Sequence, residues 1–318
     1  MKVFDRFVLA ASLMLLHAVV PAQDFPVKPV RLVVPAPPGG PLDVAGRILG
    51  RDLHDRWGQT VIVDNKGGGT LGPEFLARSA PDGYTLMIIS STPLVTFPHL
   101  QKAPYDVLKA FVGVTQTVAL TYTFLAHPAS GITSLQQLID EARKSPGRLN
   151  FATGGIGAGQ HLYLELFKLA ADIDLTHIPY KGAGPALQGF LTGEVHGMID
   201  VTSAAIPAVK AGKAHALMVT GAKPLAQFPD AVPFDTLYPG VGIPTWHGIF
   251  APAGMPQALL DKIAADIRQT LQAPAVAERF RELGMEPTGL SGEAFNAVVR
   301  SDYERWGELI RKKNIKAN

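Results

Sequence analysis

Residues 31–43 read RLVVPAPPGGPLD: an apolar run, a Pro/Gly break, then a helix start. Arg31-Leu32-Val33-Val34 is β-prone and bounded by proline, the pattern of a buried strand. Pro35, Pro37 and Pro38 stop it, and Gly39-Gly40 supplies a loop free to take positive φ. From Leu42 onward, Leu42, Ala45, Ile48, Leu49 and Leu53 recur three and four residues apart, so a helix is expected over 42–57. A strand, a glycine turn and a helix N-terminus aim unsatisfied backbone N–H groups at one point, and the helix dipole adds partial positive charge there. That shape suits an anion such as a carboxylate. Taken alone, the stretch is better explained as an ordinary β-to-α connection.

The same pattern returns in mid-chain. Residues 149–152 read as a strand, Thr153-Gly154-Gly155-Ile156-Gly157-Ala158-Gly159 as a glycine loop, and 160–171 as a helix. Strand-like and helix-like segments alternate around both copies, which argues for an α/β fold with mostly parallel strands. Strands are expected at 61–63, 85–89, 111–118, 122–126, 175–179, 197–199, 216–220 and 246–251. A looser region is expected over 93–106. The last helices fall at 256–271, 274–283 and 292–312. Each of two similar units thus presents a strand, a glycine loop and a helix N-terminus. The tail after residue 222 is too short for a third such unit and is expected to return to the first. The expected division is a signal peptide at 1–22, a discontinuous first lobe at 23–124 plus 222–318, and a second lobe at 125–221. Two lobes joined by two crossings, with binding loops facing a cleft, is the architecture of hinged ligand-binding proteins.

Composition agrees with an exported globular chain. The 318 residues are 47% hydrophobic and 18% charged, enough for two domains of ordinary size. A formal charge of +2 without a dense Lys/Arg cluster leaves no electrostatic footprint for nucleic acid. Lys2 and Arg6 precede an apolar run at 7–20, and Val20-Pro21-Ala22 places a small residue before a cut, so the mature chain is expected to begin near Gln23, in the periplasm. There is no cysteine, hence no disulfide, thiol nucleophile or thiolate metal site.

The remaining motifs are weak. Gly67-Gly68-Gly69-Thr70-Leu71-Gly72 fits G-x-G-x-x-G after a strand, but the next strand ends in Ser90-Ser91-Thr92, with no acid for a ribose hydroxyl. It is read as a flexible turn, and no cofactor is expected. P-loop, G-x-S-x-G and H-E-x-x-H signatures are absent. His161 and Glu165 are four apart, with no third metal ligand in view, and no metal is expected. Ser90, Ser91 and Thr92 follow a strand directly and either cap a helix or grip a carboxylate oxygen. Asp200, also at a strand end, caps the helix after it, pairs with a ligand ammonium or orients a water. Trp246 is expected in the core.

Together these segments resemble the tripartite tricarboxylate transporter solute receptors, the Bug or TctC-like family. The resemblance is carried by FPVKPVRLVVPAPPGGPLD at 25–43, APDGYTLMIISST at 80–92, PGRLNFATGGIGAGQHL at 146–162, HIPYKGAGPAL at 177–187, IPAVKAGKAHALMVT at 206–220 and WHGIFAPAGMP at 246–256. It implies a two-lobed, Venus-flytrap receptor, each lobe a mostly parallel sheet flanked by helices. It implies capture of a small carboxylate without turnover, by a monomer that does not bind nucleic acid. The implied partner is a membrane permease of one large and one small subunit, or a signalling system. Carried onto this chain, the ligand loops comprise Pro38, Gly39, Gly40, Leu42 and Asp43 in the first lobe. In the second they comprise Thr153, Gly154, Gly155, Gly157, Gln160 and His161. Ser90, Ser91, Thr92, Asp200 and Thr202 line the other two loops. Two departures stand out: Pro41-Leu42 where the family commonly has Ser or Thr, and Gln160 where it commonly has Ser. The first suggests a ligand with an apolar or aromatic body. The rival reading is a periplasmic hydrolase using Ser90 or Ser91, with His161 as base.

Overall fold

A computed structural model describes residues 25–67, 70–156, 158–221, 223–239 and 245–313. The expected signal peptide lies outside them. Two six-stranded sheets organise the chain. The first takes β1 (Val30–Val34), β2 (Val61–Asn65), β3 (Thr85–Ser90) and β4 (Phe111–Leu120), then β11 (Thr245–Pro252) and β12 (Met285–Ser291), in the order β12-β4-β11-β3-β1-β2. The second takes β5 (Tyr122–Ala126), β6 (Asn150–Thr153), β7 (Thr176–Pro179), β8 (Gly197–Val201), β9 (His215–Val219) and β10 (Val232–Pro233), in the order β10-β9-β5-β8-β6-β7. Sheet membership moves both crossings from their expected places. The second sheet begins at Tyr122 and still holds Val232–Pro233, and the chain re-enters the first sheet at Thr245.

The sheets are mixed rather than mostly parallel. β1 pairs in parallel with β2 and β3, but β11 runs antiparallel to both β3 and β4, and β12 antiparallel to β4. In the second sheet β5 is antiparallel to β8 and β9, while the β6-β7, β6-β8 and β9-β10 pairs are parallel. This is the cost of two crossings: β5 and β11 enter their sheets from the junction, so each must run against its neighbours.

Direction follows from those pairings. β3 and β4 both oppose β11, so β3 and β1 point the way β4 does, toward the crossing at Thr121. β5 leaves that crossing and opposes β8, so β8, β6 and β7 point back at it. The carboxyl ends of β1, β3, β6, β7 and β8 therefore converge on the junction, where open α/β sheets bind ligands.

Helices pack on both faces: α1 (Pro41–Trp57), α2 (Leu71–Ala77), α3 (Ser91–Leu100), α4 (Val107–Ala110), α5 (Leu135–Lys144), α6 (Gly159–Ala171), α7 (Ala183–Leu191), α8 (Thr202–Lys210), α9 (Phe234–Leu237), α10 (Gln257–Gln272), α11 (Pro274–Glu282) and α12 (Gly292–Lys313). The expected loose region is in fact α3 as far as Leu100. Pro93 falls in its first turn, where a missing N–H costs nothing, so proline there is no helix breaker. The periodicity reading also passed over β12, an edge strand that carries Pro287 at a register shift, as edges tolerate. One apolar cluster runs through both lobes, with Met87, Phe250 and Trp306 on one side and Phe124, Phe151 and Phe167 on the other. The outer faces have separate cores.

Candidate functional site

Five helices begin where strands end at the junction: α1, α3, α6, α7 and α8. Their N-cap residues are Gly40, Ser90, Ala158, Gly182 and Val201, and none supplies a side-chain cap. Elsewhere α4 and α5 are capped, by Asp106 and by the Ser134 hydroxyl accepting from Gln137 N–H, while α2, α9, α10 and α11 also lack a side-chain cap. Uncapped first turns leave backbone donors and the positive dipole end free for an outside acceptor.

The first loop is braced from within. Asp43 is 2% exposed; its carboxylate accepts from Gly39 N–H (2.8 Å), Arg47 Nε (2.9 Å) and Asn65 Nδ2 (2.8 Å). Burial raises its pKa, but these donors outweigh burial and hold it below the usual value. Asp43 is thus an anchor whose charge is spent on the loop, and Gly39, at φ 84°, gives its N–H inward. Pro38 is exposed and Pro41 has no N–H, so Gly40, Leu42 and Asp43 carry the donors of this helix end. The Leu42 side chain is buried with Val34, Ala45 and Leu49 in the first-lobe core.

At the next loop, Ser91 Oγ accepts from Trp246 N–H (3.2 Å), leaving its own proton for another acceptor. Thr92 is buried, and its carbonyl accepts from Thr96 Oγ1 (2.6 Å). Ser90 is half-buried opposite His247. Trp246 is fully buried and donates from Nε1 to Asp302 (2.8 Å).

The second-lobe loop is held by a hydroxyl and an imidazole. Thr153 is wholly buried; its Oγ1 lies 2.6 Å from His177 Nε2 and accepts from Gly155 N–H (3.3 Å). Gly155, at φ 135°, turns the chain so that Gly154 lies beside α7, its carbonyl taking Gly182 N–H (3.1 Å). Ile156 at the tip is 45% exposed, and Gly157 lies outside the described residues. His161 is buried and stacked on His177, centroids 4.1 Å apart. Burial lowers both imidazole pKa values, His177 to about 4, with His161 and then Lys168 adding to the shift on His177.

Asp200 is 2% exposed, and burial raises its pKa to about 6. Val201 N–H, at 2.8 Å, and the Gln160 amide donate toward it and offset part of that rise. The Thr202 hydroxyl bonds Thr121 O (2.9 Å) and Thr123 Oγ1 (3.0 Å), tying α8 to the crossing. Sequence reasoning missed His177 and Tyr122, since neither sits in a loop. HIPYKG could have flagged the first only by ending a strand. Among the described residues no group of three or more His, Asp or Glu is placed to hold a metal.

A two-lobed α/β molecule with opposed, uncapped helix ends at its crossings defines a periplasmic-type solute-binding protein. The chain belongs to the tripartite tricarboxylate transporter receptor family, whose model matches residues 45–315. It is 33% identical to BugT of Bordetella pertussis (strain Tohama I), over 94% of this chain and 93% of that protein. The solved periplasmic binding protein BugD superposes with a TM-score of 0.79 at 32% identity, covering 92% of this chain and all of that one (100%). R. palustris Rpa4515, solved with adipate, gives 0.81 at 28% identity, over 92% and 99%. These are receptors, so the chain is a solute-binding receptor and the hydrolase reading falls.

Proposed function

We propose that this receptor is exported, captures a small carboxylate between its lobes, and delivers it to a membrane permease of one large and one small subunit. The observation that carries the reading is the convergence of uncapped helix N-termini from both lobes on one junction. Charge recognition there rests on backbone donors, a mode suited to carboxylates. The adipate complex of Rpa4515 supports the ligand class, and the family supports the permease. Hydrogen bonds to a charged acceptor contribute roughly 1.5–3 kcal/mol each. Two or three of them supply roughly 3–9 kcal/mol before the costs of association and closing, so micromolar binding also needs apolar contacts with the ligand body.

The proposed path is sequential. The carboxylate meets the Gly40–Asp43 end of α1, then closure brings the Gly154–Gln160 end of α6 onto it. The proposed lobes are 23–124 with 222–318, and 125–221, with the crossings adjusted to sheet membership. No helix among the described residues is long and apolar enough to span a membrane. N-terminal sequencing of the secreted chain tests cleavage after Ala22. Calorimetry against mono-, di- and aromatic carboxylates, with mass spectrometry of any co-purifying acid, tests the ligand class. Failure of every carboxylate to bind would sink the reading.

A further inference from the structure

Sequence patterning gives Tyr122 only a place in a strand; the structure gives it a second one. It opens β5 directly after the crossing, and its ring lies against Tyr163 of α6, centroids 5.3 Å apart. The residue is 8% exposed, its backbone N–H donates to Thr220 Oγ1, and no described residue bonds its hydroxyl. That hydroxyl is seated against Gly159, the first residue of α6. A Cβ on Gly159 would overlap the tyrosine oxygen and come within 3.0 Å of Cζ. A hydroxyl of a buried residue, bonded to no described residue, therefore stands at the open end of a 13-residue helix whose N-cap, Ala158, offers no side-chain acceptor. Burial, with Asp200 adding its charge, raises the Tyr122 pKa, so the hydroxyl keeps its proton and acts as a donor.

On the other side of the same helix end stands an acceptor. Asp200 is 2% exposed, and Gln160, next to Gly159, donates toward its carboxylate. A carboxylate seated on α6 accepts from the Tyr122 hydroxyl and the first-turn N–H groups, but it has nothing to give Asp200 and is repelled by it. A hydroxyl or ammonium on the adjacent carbon donates to Asp200 and removes that conflict. We propose that Tyr122 and Asp200 form a specificity subsite beside the α6 N-terminus that selects 2-hydroxy or 2-amino carboxylic acids over unsubstituted acids of the same length. This rests on the carboxylate reading and sharpens it.

Calorimetry on the mature receptor with two matched series tests it: succinate, malate and aspartate, then butyrate, 2-hydroxybutyrate and 2-aminobutyrate. The substituted acids should bind about tenfold tighter or better, the value of a hydrogen bond to a charged group. Preference for the hydroxy members identifies a hydroxyl donor; preference for the amino members identifies an ammonium. Asp200→Asn should cut the preference to below about threefold, and Tyr122→Phe should weaken every acid that binds. Should Asp200→Asn not fold, Gln160→Ala on the half-buried helix end loosens the same carboxylate and should lower the preference. Equal affinities within a series, or a preference that survives Asp200→Asn, overturn the proposal and leave the carboxylate reading standing. Binding of other carboxylates but none of these six overturns it as well.

Discussion

Thr153, the last residue of β6, shows how one buried side chain sets the shape of the loop it opens. Its hydroxyl accepts Gly155 N–H and meets His177 Nε2, so the glycine turn is tied back to β7 through one oxygen atom. Thr153→Val keeps the volume and removes the oxygen. It should raise the dissociation constant about five- to tenfold, the worth of one hydrogen bond, and Thr153→Ser should restore most of it, both read by calorimetry. The imidazole behind it makes a pH prediction. His177 titrates near pH 4 in the folded chain against 6.5 when unperturbed, so the unfolded chain takes the proton first. Its contribution to stability is complete above pH 6.5 and is lost as pH falls toward 4. Asp200 runs the other way: raised from 3.8 to about 6, it contributes fully below 3.8 and loses that contribution as pH rises through 6. Melting temperatures of His177→Gln should therefore fall less steeply than wild type between pH 6.5 and 4. An unchanged acid slope would show that the ring is not its source.

Among the elements, the helix ends are the proposed recognition sites, and their features divide into those legible in sequence and those not. The Gly39-Gly40 and Gly154-Gly155 turns were legible because glycine and proline announce themselves locally. The direction of Leu42 was not legible because a residue name says nothing about which way a side chain turns; its place in the core follows from α1 packing on the sheet. The contacts of Thr202 were not legible either, because its partners Thr121 and Thr123 are near only once β5 pairs with β8. Tyr122 was invisible, since its meeting with Gly159 joins residues 37 positions apart (159 − 122) through the turn of a whole lobe. That meeting is itself testable. Gly159→Ala places a methyl group into the tyrosine ring and should cost about 1–3 kcal/mol in urea unfolding, because a packed core resists added volume. A neutral result would mean that the α6 end yields easily, and would weaken its standing as a rigid donor site.

At the scale of the molecule, the question is how two lobes act as one. The apolar cluster that runs through the junction joins them, and a few polar contacts fix their registry. Thr202 N–H reaches Thr121 O at 2.9 Å across the first crossing. Thr245, where the chain re-enters the first sheet, donates from Oγ1 to the Tyr163 hydroxyl of α6 at 3.0 Å, and Tyr163 meets Trp306 of α12 edge-on, centroids 5.8 Å apart. The helix whose N-terminus is the proposed carboxylate site is thus the helix that touches the return crossing, one turn further on. Closure that moves the α6 end must work against this bond or keep it. Tyr163→Phe leaves the Thr245 hydroxyl buried without its acceptor and should cost about 1–3 kcal/mol. Thr245→Val alone removes the donor and should cost less, since Tyr163 keeps a hydroxyl able to rotate toward another partner. Removing both should recover part of the loss, so the cycle should show a coupling of about 0.5 kcal/mol or more between residues on separate lobes. Urea unfolding at each corner measures it. Strict additivity would mean that this bond does not couple the lobes, leaving apolar packing and the Thr202–Thr121 contact to do so.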